Sequence, residues 1–405
     1  MGSEGRLRVC MAIPSYPPSF AGHGIQLQRN LPYLEARGVD PTVLTGRTVA
    51  PMPPARDEDR VRRVLPVREG LLGGLQGLVA FRRFFQRHAR DYDVVHAVGL
   101  GPEFFLNLPA LKRAGLPVVF EMVLLGSDDP TTIGRYRLGK LQVGLARRHV
   151  DLWSALSGAF LPSLEAAGIP RDRCRVIYSG VDTSEYRPRS ESERRELRAR
   201  LELPAEGRVV VSVGSLLHRK GMDRLLEAWA CSQPVVGRDV LLVVGPTREA
   251  EGLPASEVAH STELQRRAQA PDLAGTVRFE GRREGVVDYM AVADLFALLS
   301  RREGLGAVIL EALASGVPCL VSPLDGIGAE VLAEGETGFV VPEPDDAERV
   351  GKLLSSVLAD PERRAAMGRA GRIEAERRFS MEARADALSE LYRRAIEVGP
   401  ASGRR

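Results

Sequence analysis

Short apolar runs alternate with helix-patterned segments along nearly the whole chain, in two successive series. That alternation constrains the fold most, because parallel strands can be joined only by a crossover long enough to hold a helix. The first series opens with Arg8-Val-Cys-Met-Ala-Ile13. A proline-rich loop reaching Gly24 follows, then a helix with apolar positions at Leu27, Leu31 and Leu34 that ends at Gly38. Runs at 41–45, 93–98 and 116–120 continue the series. A polar, charged stretch at 187–206 reads as an interdomain segment. A second series then runs through 208–213, 240–245, 276–280, 295–299, 317–321 and 338–341. At 405 residues the chain exceeds one ordinary core. The expected architecture is two doubly wound sheets in series, with a ligand cleft beyond the carboxyl ends of the strands. An amphipathic helix from Met381 to Val398 closes the chain before a Gly/Ser/Arg tail expected to be disordered.

Composition excludes several classes. A 44% hydrophobic and 27% charged chain is an ordinary soluble one, and a formal charge of +3 gives no argument for nucleic acid. The four cysteines, Cys10, Cys174, Cys231 and Cys319, lie far apart. They read as buried small hydrophobes in a reducing compartment, not as a disulfide or zinc framework. The start of the chain is too polar for a signal peptide, and no run approaches the ~20 apolar residues that span a bilayer. A cytoplasmic location is the expectation. Segment 70–87, apolar and then aromatic and basic, has two readings: a packed helix, which is preferred, or a surface resting on an anionic membrane.

Chemistry concentrates in the second series. Glu303 and Glu311 bracket Ser300-Arg-Arg-Glu-Gly-Leu-Gly-Ala-Val-Ile-Leu-Glu311, a turn containing Gly304 and Gly306 and then a helix that closes at Gly316 and Pro318. Glu303 falls in the loop and Glu311 on the helix, with helix-start amides between them suited to phosphate. Two carboxylates around an anion cradle suit a ligand with hydroxyls at both ends of a diphosphate. Upstream, Val213-Gly-Ser-Leu-Leu-His-Arg-Lys-Gly221 places Arg219 and Lys220 in a loop between strand and helix. Arginine clamps a phosphate through two donors and lysine acts as a point charge. Neither a Walker P-loop nor a GxGxxG fingerprint is present, which disfavours nucleoside triphosphates and NAD.

In the first series, Gly22 and Gly24 are expected in the loop after the first strand, where they would let backbone approach a ligand. His96 is read at the end of an apolar strand and facing the cleft, with a satisfied core histidine as the plain alternative. Asp128, in Leu125-Gly-Ser-Asp-Asp-Pro130, could face the cleft as well. Asp57-Glu-Asp59 and Asp91-Tyr-Asp93 fit a DxD pattern that recurs by chance, and no metal site is expected.

Together these residues resemble glycosyltransferase family 4, whose GT-B fold pairs two Rossmann-like domains. The resemblance rests on Gly214…Arg219-Lys-Gly221, on Glu303-Gly-Leu-Gly…Glu311-Ala-Leu-Ala-Ser-Gly-Val-Pro, and on Gly338-Phe-Val-Val. Tyr92-Asp-Val-Val-His-Ala-Val98 and 176–188 add to it. It implies domains at 1–186 and 187–376 facing across a cleft, a helix at 377–398 crossing back to the first, and a disordered tail at 399–405. By position, Arg219 and Lys220 would hold the donor diphosphate beside Gly214, and Glu303 would touch the sugar hydroxyls. The amides of Gly304, Leu305 and Gly306 would lie near the distal phosphate, and Glu311 would accept from the ribose. Gly22 and Gly24 would approach from the other domain, His96 would lie near the transferring sugar, and Arg282 would help to recognise the base. Three departures stand out: Ser215 replaces an arginine, Ser179 an asparagine, and Glu121-Met122 a histidine. The last leaves Glu121 or Asp128 as acceptor-side candidates.

The expected activity is a retaining, metal-independent, cofactor-free transfer of a sugar from a nucleoside-diphosphate-sugar, UDP preferred over GDP, to a hydroxyl in polysaccharide or glycoconjugate synthesis. The alternatives are a non-catalytic nucleotide-sugar-binding partner of another transferase, or a nucleotide-sugar epimerase.

Overall fold

The structure is a computed structural model that describes residues 5–18, 22–46, 57–66 and 70–399. The chain divides into two compact units: residues 5–180 with 381–399, and residues 181–380. The expected tail beyond 399 lies outside the described residues.

In the first unit seven strands form one parallel sheet. They are β1 (Leu7–Ala12), β2 (Val39–Gly46), β3 (Val61–Leu65), β4 (Val94–Val98), β5 (Val118–Met122), β6 (Leu152–Ala155) and β7 (Cys174–Val176). Their order is β3-β2-β1-β4-β5-β6-β7, so the direction of winding reverses between β1 and β4. All five residues of β4 and of β5 are buried, which is why these strands read as unbroken runs and not as alternating ones. Met11 pairs with His96, and His96 with Val119. The helix Gly22–Glu35 buries Leu27, Leu31 and Leu34 against this sheet, at the spacing the sequence shows.

The second unit repeats the theme with β8 (Val209–Val213), β9 (Val240–Val244), β10 (Val277–Gly281), β11 (Leu295–Leu298), β12 (Cys319–Val321) and β13 (Gly338–Val340). The order is β10-β9-β8-β11-β12-β13, all parallel, and the reversal falls between β8 and β11. Two readings change here. The stretch 187–206, read as an interdomain segment, contains a helix of the second unit: Ser190 and Glu193 form a capping box that starts Glu191–Arg200. Arg194 and Arg198 of that helix pair with Asp294, at 3.0 and 2.8 Å. Of the four cysteines, Cys231 is exposed, at the end of the helix Met222–Cys231.

The last helix, Met381–Val398, completes the first unit. Leu388, Leu391, Tyr392 and Ala395 join the core built on β1, β2 and β4. Arg384 reaches under the sheet, where both Glu121 oxygens accept from it at 2.8 and 2.9 Å and the Tyr178 carbonyl accepts at 2.8 Å. The Tyr392 hydroxyl lies 2.8 Å from His96 Nδ1. Removing one member of a buried ion pair leaves an uncompensated charge. Arg384→Met should therefore lower the unfolding free energy of this unit by about 3–5 kcal/mol. Adding Glu121→Gln should restore much of the loss. Urea denaturation of both variants checks this, and an undisturbed single variant would refute the role of the pair.

Candidate functional site

In an open parallel sheet, the loops leaving two neighbouring strands diverge only where winding reverses, and ligands bind there. In the second unit these are the loops after β8 and β11. The first carries Gly214, Arg219 and Lys220; the second carries Glu303, Gly304, Leu305 and Gly306.

Local chemistry draws the two loops together. After β8 the chain makes a short 3-10 turn, His218–Lys220, and Gly221 then adopts a left-handed conformation (φ 63°) at the start of the helix Met222–Cys231. A side chain there is impossible, since a Cβ would stand 1.9 Å from the Leu299 carbonyl oxygen. Arg301 fixes the opposite edge. Its amide donates to the Arg219 carbonyl at 2.7 Å, and its guanidinium grips Asp223 at 2.8 and 2.5 Å.

At the junction lies Glu303, 6% exposed. Lys220 Nζ stands 2.5 Å from Glu303 Oε1, and the Ser300 hydroxyl donates to that same oxygen at 2.9 Å. Arg219 Nη1 stands 3.4 Å from Oε2. Burial alone would raise this carboxyl, but the two cations outweigh it and hold Glu303 below the usual carboxylate range. Two adjacent cations sharing one carboxylate suit an anion such as a phosphate. Leu305 is buried and Gly306 (φ 75°) caps the helix Ala307–Ala314, whose first amides have no partner within the helix. Positive helix-end charge therefore adjoins the two side-chain cations. Glu311 is the fifth residue of that helix and is buried. Arg282 lies apart: it follows edge strand β10, two strands from β8, and its amide donates to Glu251 at 3.3 Å.

The first-unit candidates change more. Gly22 and Gly24 open a helix instead of lying in a loop. Gly24 is there for packing, because a Cβ would stand 2.5 Å from the Ser15 carbonyl oxygen. His96 is third of five residues in β4, not at its end, and its ring is enclosed by Tyr392 and by Glu121, whose Oε2 lies 3.9 Å from Nε2. It positions the last helix and does not line a surface. Glu121 extends β5 past Phe120 and is buried, with both oxygens accepting from Arg384. Asp128 closes its own turn by accepting the amides of Val123 and Leu124 at 2.7 and 3.0 Å. Burial, partly offset by those amides, pushes its carboxyl up to about 6. The neighbouring Asp129 accepts from Gly126, Thr131, Thr132 and Ser163. Asp57 accepts from Tyr16 and Gln28, Asp93 from Arg8, and Asp91 lies 2.9 Å from His88 Nδ1, so three of the four DxD carboxylates have structural partners. Among the described residues no group of three or more His, Cys, Asp or Glu is placed to hold a metal.

Sequence reasoning missed Ser300, Asp223 and Arg301. Asp223 and Arg301 are 78 residues apart, so only the adjacency of β8 and β11 marks them, whereas Ser300 lies three residues from its partner Glu303.

Two parallel α/β units, each with a reversal in its winding, are the domains of the GT-B fold. Anabaena HepE, solved in complex with UDP, superposes with a TM-score of 0.77 at 21% identity, over 96% of this chain and all of that one. The pattern described as glycosyl transferases group 1 matches residues 193–374, and that of glycosyltransferase family 4 matches residues 21–185. D-inositol 3-phosphate glycosyltransferase of Kineococcus radiotolerans is 30% identical over 90% of this chain and 88% of its own length. The GDP-mannose-dependent monoacylated alpha-(1-6)-phosphatidylinositol monomannoside mannosyltransferase of Corynebacterium glutamicum is 34% identical over 60% of this chain. That match covers 62% of the relative's own length. The chain belongs to glycosyltransferase family 4, the group 1 glycosyl transferases, and is a glycosyltransferase.

Two measurements follow. With Glu303→Gln the cations lose their carboxylate, so calorimetry at low salt should show pyrophosphate binding several-fold tighter, and at least tenfold weaker with Lys220→Ala; equal affinity in both would refute the shared-cation geometry. His96 is held neutral by burial, with Glu121 raising and Arg384 lowering its pKa, which falls from 6.5 to about 4. The unfolded chain therefore takes up the proton first, and stability should fall as pH drops from 6.5 towards 4. His96→Gln should flatten that segment of the stability–pH curve, measured by urea unfolding.

Proposed function

We propose that the enzyme transfers a sugar from a nucleoside-diphosphate-sugar to an acceptor hydroxyl with retention of configuration and without a metal. The observation that carries this reading is the meeting of Lys220, Arg219 and Glu303 beside the start of the helix Ala307–Ala314. Arg219 and Lys220 bind the diphosphate, the amides at 304–306 face its distal phosphate, and Glu303 and Glu311 accept from sugar and ribose hydroxyls. As the bond from the sugar to the β-phosphate breaks, negative charge gathers on the departing oxygen. Fixed cations and helix-end amides stabilise it without reorganising. This reading assigns no side chain as a nucleophile. The acceptor oxygen therefore attacks from the face the phosphate leaves, and that phosphate takes the acceptor's proton.

In this reading Lys220 has two partners in turn. Without donor its charge is met by Glu303. A bound diphosphate draws it away, which frees the carboxylate for the sugar hydroxyls. HepE was solved with UDP, whereas the Corynebacterium relative is named for GDP-mannose, so both bases belong in the test.

A thermal-shift panel of UDP- and GDP-sugars should give one clear rise in melting temperature, lost in Lys220→Ala. Proton NMR of the product should then show the anomeric configuration of the donor, in buffer with EDTA as without it. An inverted product would sink the retaining mechanism, and stabilisation by no nucleotide-sugar would sink the donor assignment.

A further inference from the structure

One surface of the first unit is unlike the rest of the molecule. The helices Gly70–His88 and Arg137–His149 contain no aspartate or glutamate, in a chain whose Lys/Arg and Asp/Glu totals are 56 and 53. The first carries Arg82, Arg83 and Arg87, and the second Arg137, Lys140, Arg147 and Arg148. Elsewhere arginines are paired as a rule, through carboxylates such as Asp93, Asp294 and Asp223. None of these seven cations forms an ion pair among the described residues.

Apolar side chains accompany them. Ten large hydrophobic residues are exposed among the described residues, and five lie on this surface: Leu75, Val79, Tyr136, Leu138 and Leu141, with Tyr136 71% exposed. They are not misplaced core residues. Each helix already buries its other face, the first through Phe81, Phe84 and Phe85, the second through Gly139, Gln142 and Ala146. Leu75, Val79, Arg82 and Gln86 follow a helical repeat along the outer face of the first helix, as Leu141, Gly144 and Arg148 do on the second.

The helices share one side of the sheet. The crossovers from β3 to β4 and from β5 to β6 run across it in the same direction, so right-handed connections place both on one face. Both also touch the short helix Pro102–Phe105 between them. Its Glu103 is the carboxylate at that seam, and Oε1 accepts the Gly101 amide at 3.1 Å.

We propose that this face docks the enzyme on an anionic lipid bilayer. Unpaired cations around protruding leucine, valine and tyrosine match a surface that is negative at its headgroups and apolar just beneath. A second copy of the chain is the poorer occupant, because joining two such faces would bring fourteen like charges together. A nucleic acid would match the cations and leave the aliphatic side chains uncovered. The contact is peripheral: no helix among the described residues is long and apolar enough to cross a membrane.

Flotation of the full chain with vesicles tests this. The protein should float with phosphatidylglycerol-containing vesicles at low salt, stay free of pure phosphatidylcholine vesicles, and detach as salt rises. Each cation near the surface contributes roughly fivefold in binding, so Arg82→Glu, Arg83→Glu, Arg147→Glu and Arg148→Glu together should abolish flotation. Leu75→Ser with Leu141→Ser should weaken it about tenfold even at low salt. The pyrophosphate affinity of both variants should equal that of the native chain, which separates loss of docking from loss of folding and from failure of the donor assignment. Equal binding to neutral vesicles, no binding to anionic ones, or flotation of the charge-reversed variant would overturn the proposal. So would native-chain self-association in sedimentation velocity that disappears with the serine changes, because the occupant would then be a second copy.

Discussion

Parallel strands must be connected over the face of the sheet, and everything specific about the second unit depends on where those connections change direction. Between β8 and β11 no crossover covers the strand ends, so two loops separated by some eighty residues come to lie side by side. Gly221 brings the first loop within contact of the Leu299 carbonyl, and Arg301 ties the second to Asp223. The resulting contact of Lys220 and Arg219 with Glu303 follows from topology. These three side chains could not meet in a sheet wound in one direction throughout.

The same constraint separates the site from the stabilising electrostatics. In the second unit Arg198 and Asp294 pair inside the fold, while Arg219, Lys220 and Glu303 meet at a loop junction. In the first unit a buried group surrounds the last helix: Glu121 accepts from Arg384, and Tyr392 is hydrogen-bonded to His96. Charge that is neutralised inside the protein holds the fold, and charge gathered at the switch point is free to meet a ligand.

What could be read in advance divides along the same line. Strand and helix periodicity reveal both sheets, because buried parallel strands are continuous apolar runs. Glycine spacing reveals the loops after β8 and β11, because turns and helix starts have local signatures. Roles set by distant partners leave no such trace. Glu121 looked available until Arg384, 263 residues later, proved to occupy both of its oxygens. His96 looked like a strand-end residue because β4 is short, and only its pairing with Met11 and Val119 puts it mid-strand. The polar stretch 187–206 suggested a linker because its helix is stabilised mostly by charge, with Asp294 supplying the contacts that a hydrophobic pattern would have announced.

The chain leaves the first unit after Gly180 and returns to it at Met381. Synthesis runs from the amino terminus, so the ribosome finishes the whole second unit before it delivers Arg384. Until then the seven strands are present but Glu121 lacks its counter-charge, and the apolar surface covered by Leu388, Leu391 and Tyr392 stands bare. The second unit, formed from one uninterrupted stretch, can reach its final form while the first is still waiting. The second unit is thus complete in sequence before the first receives its last helix.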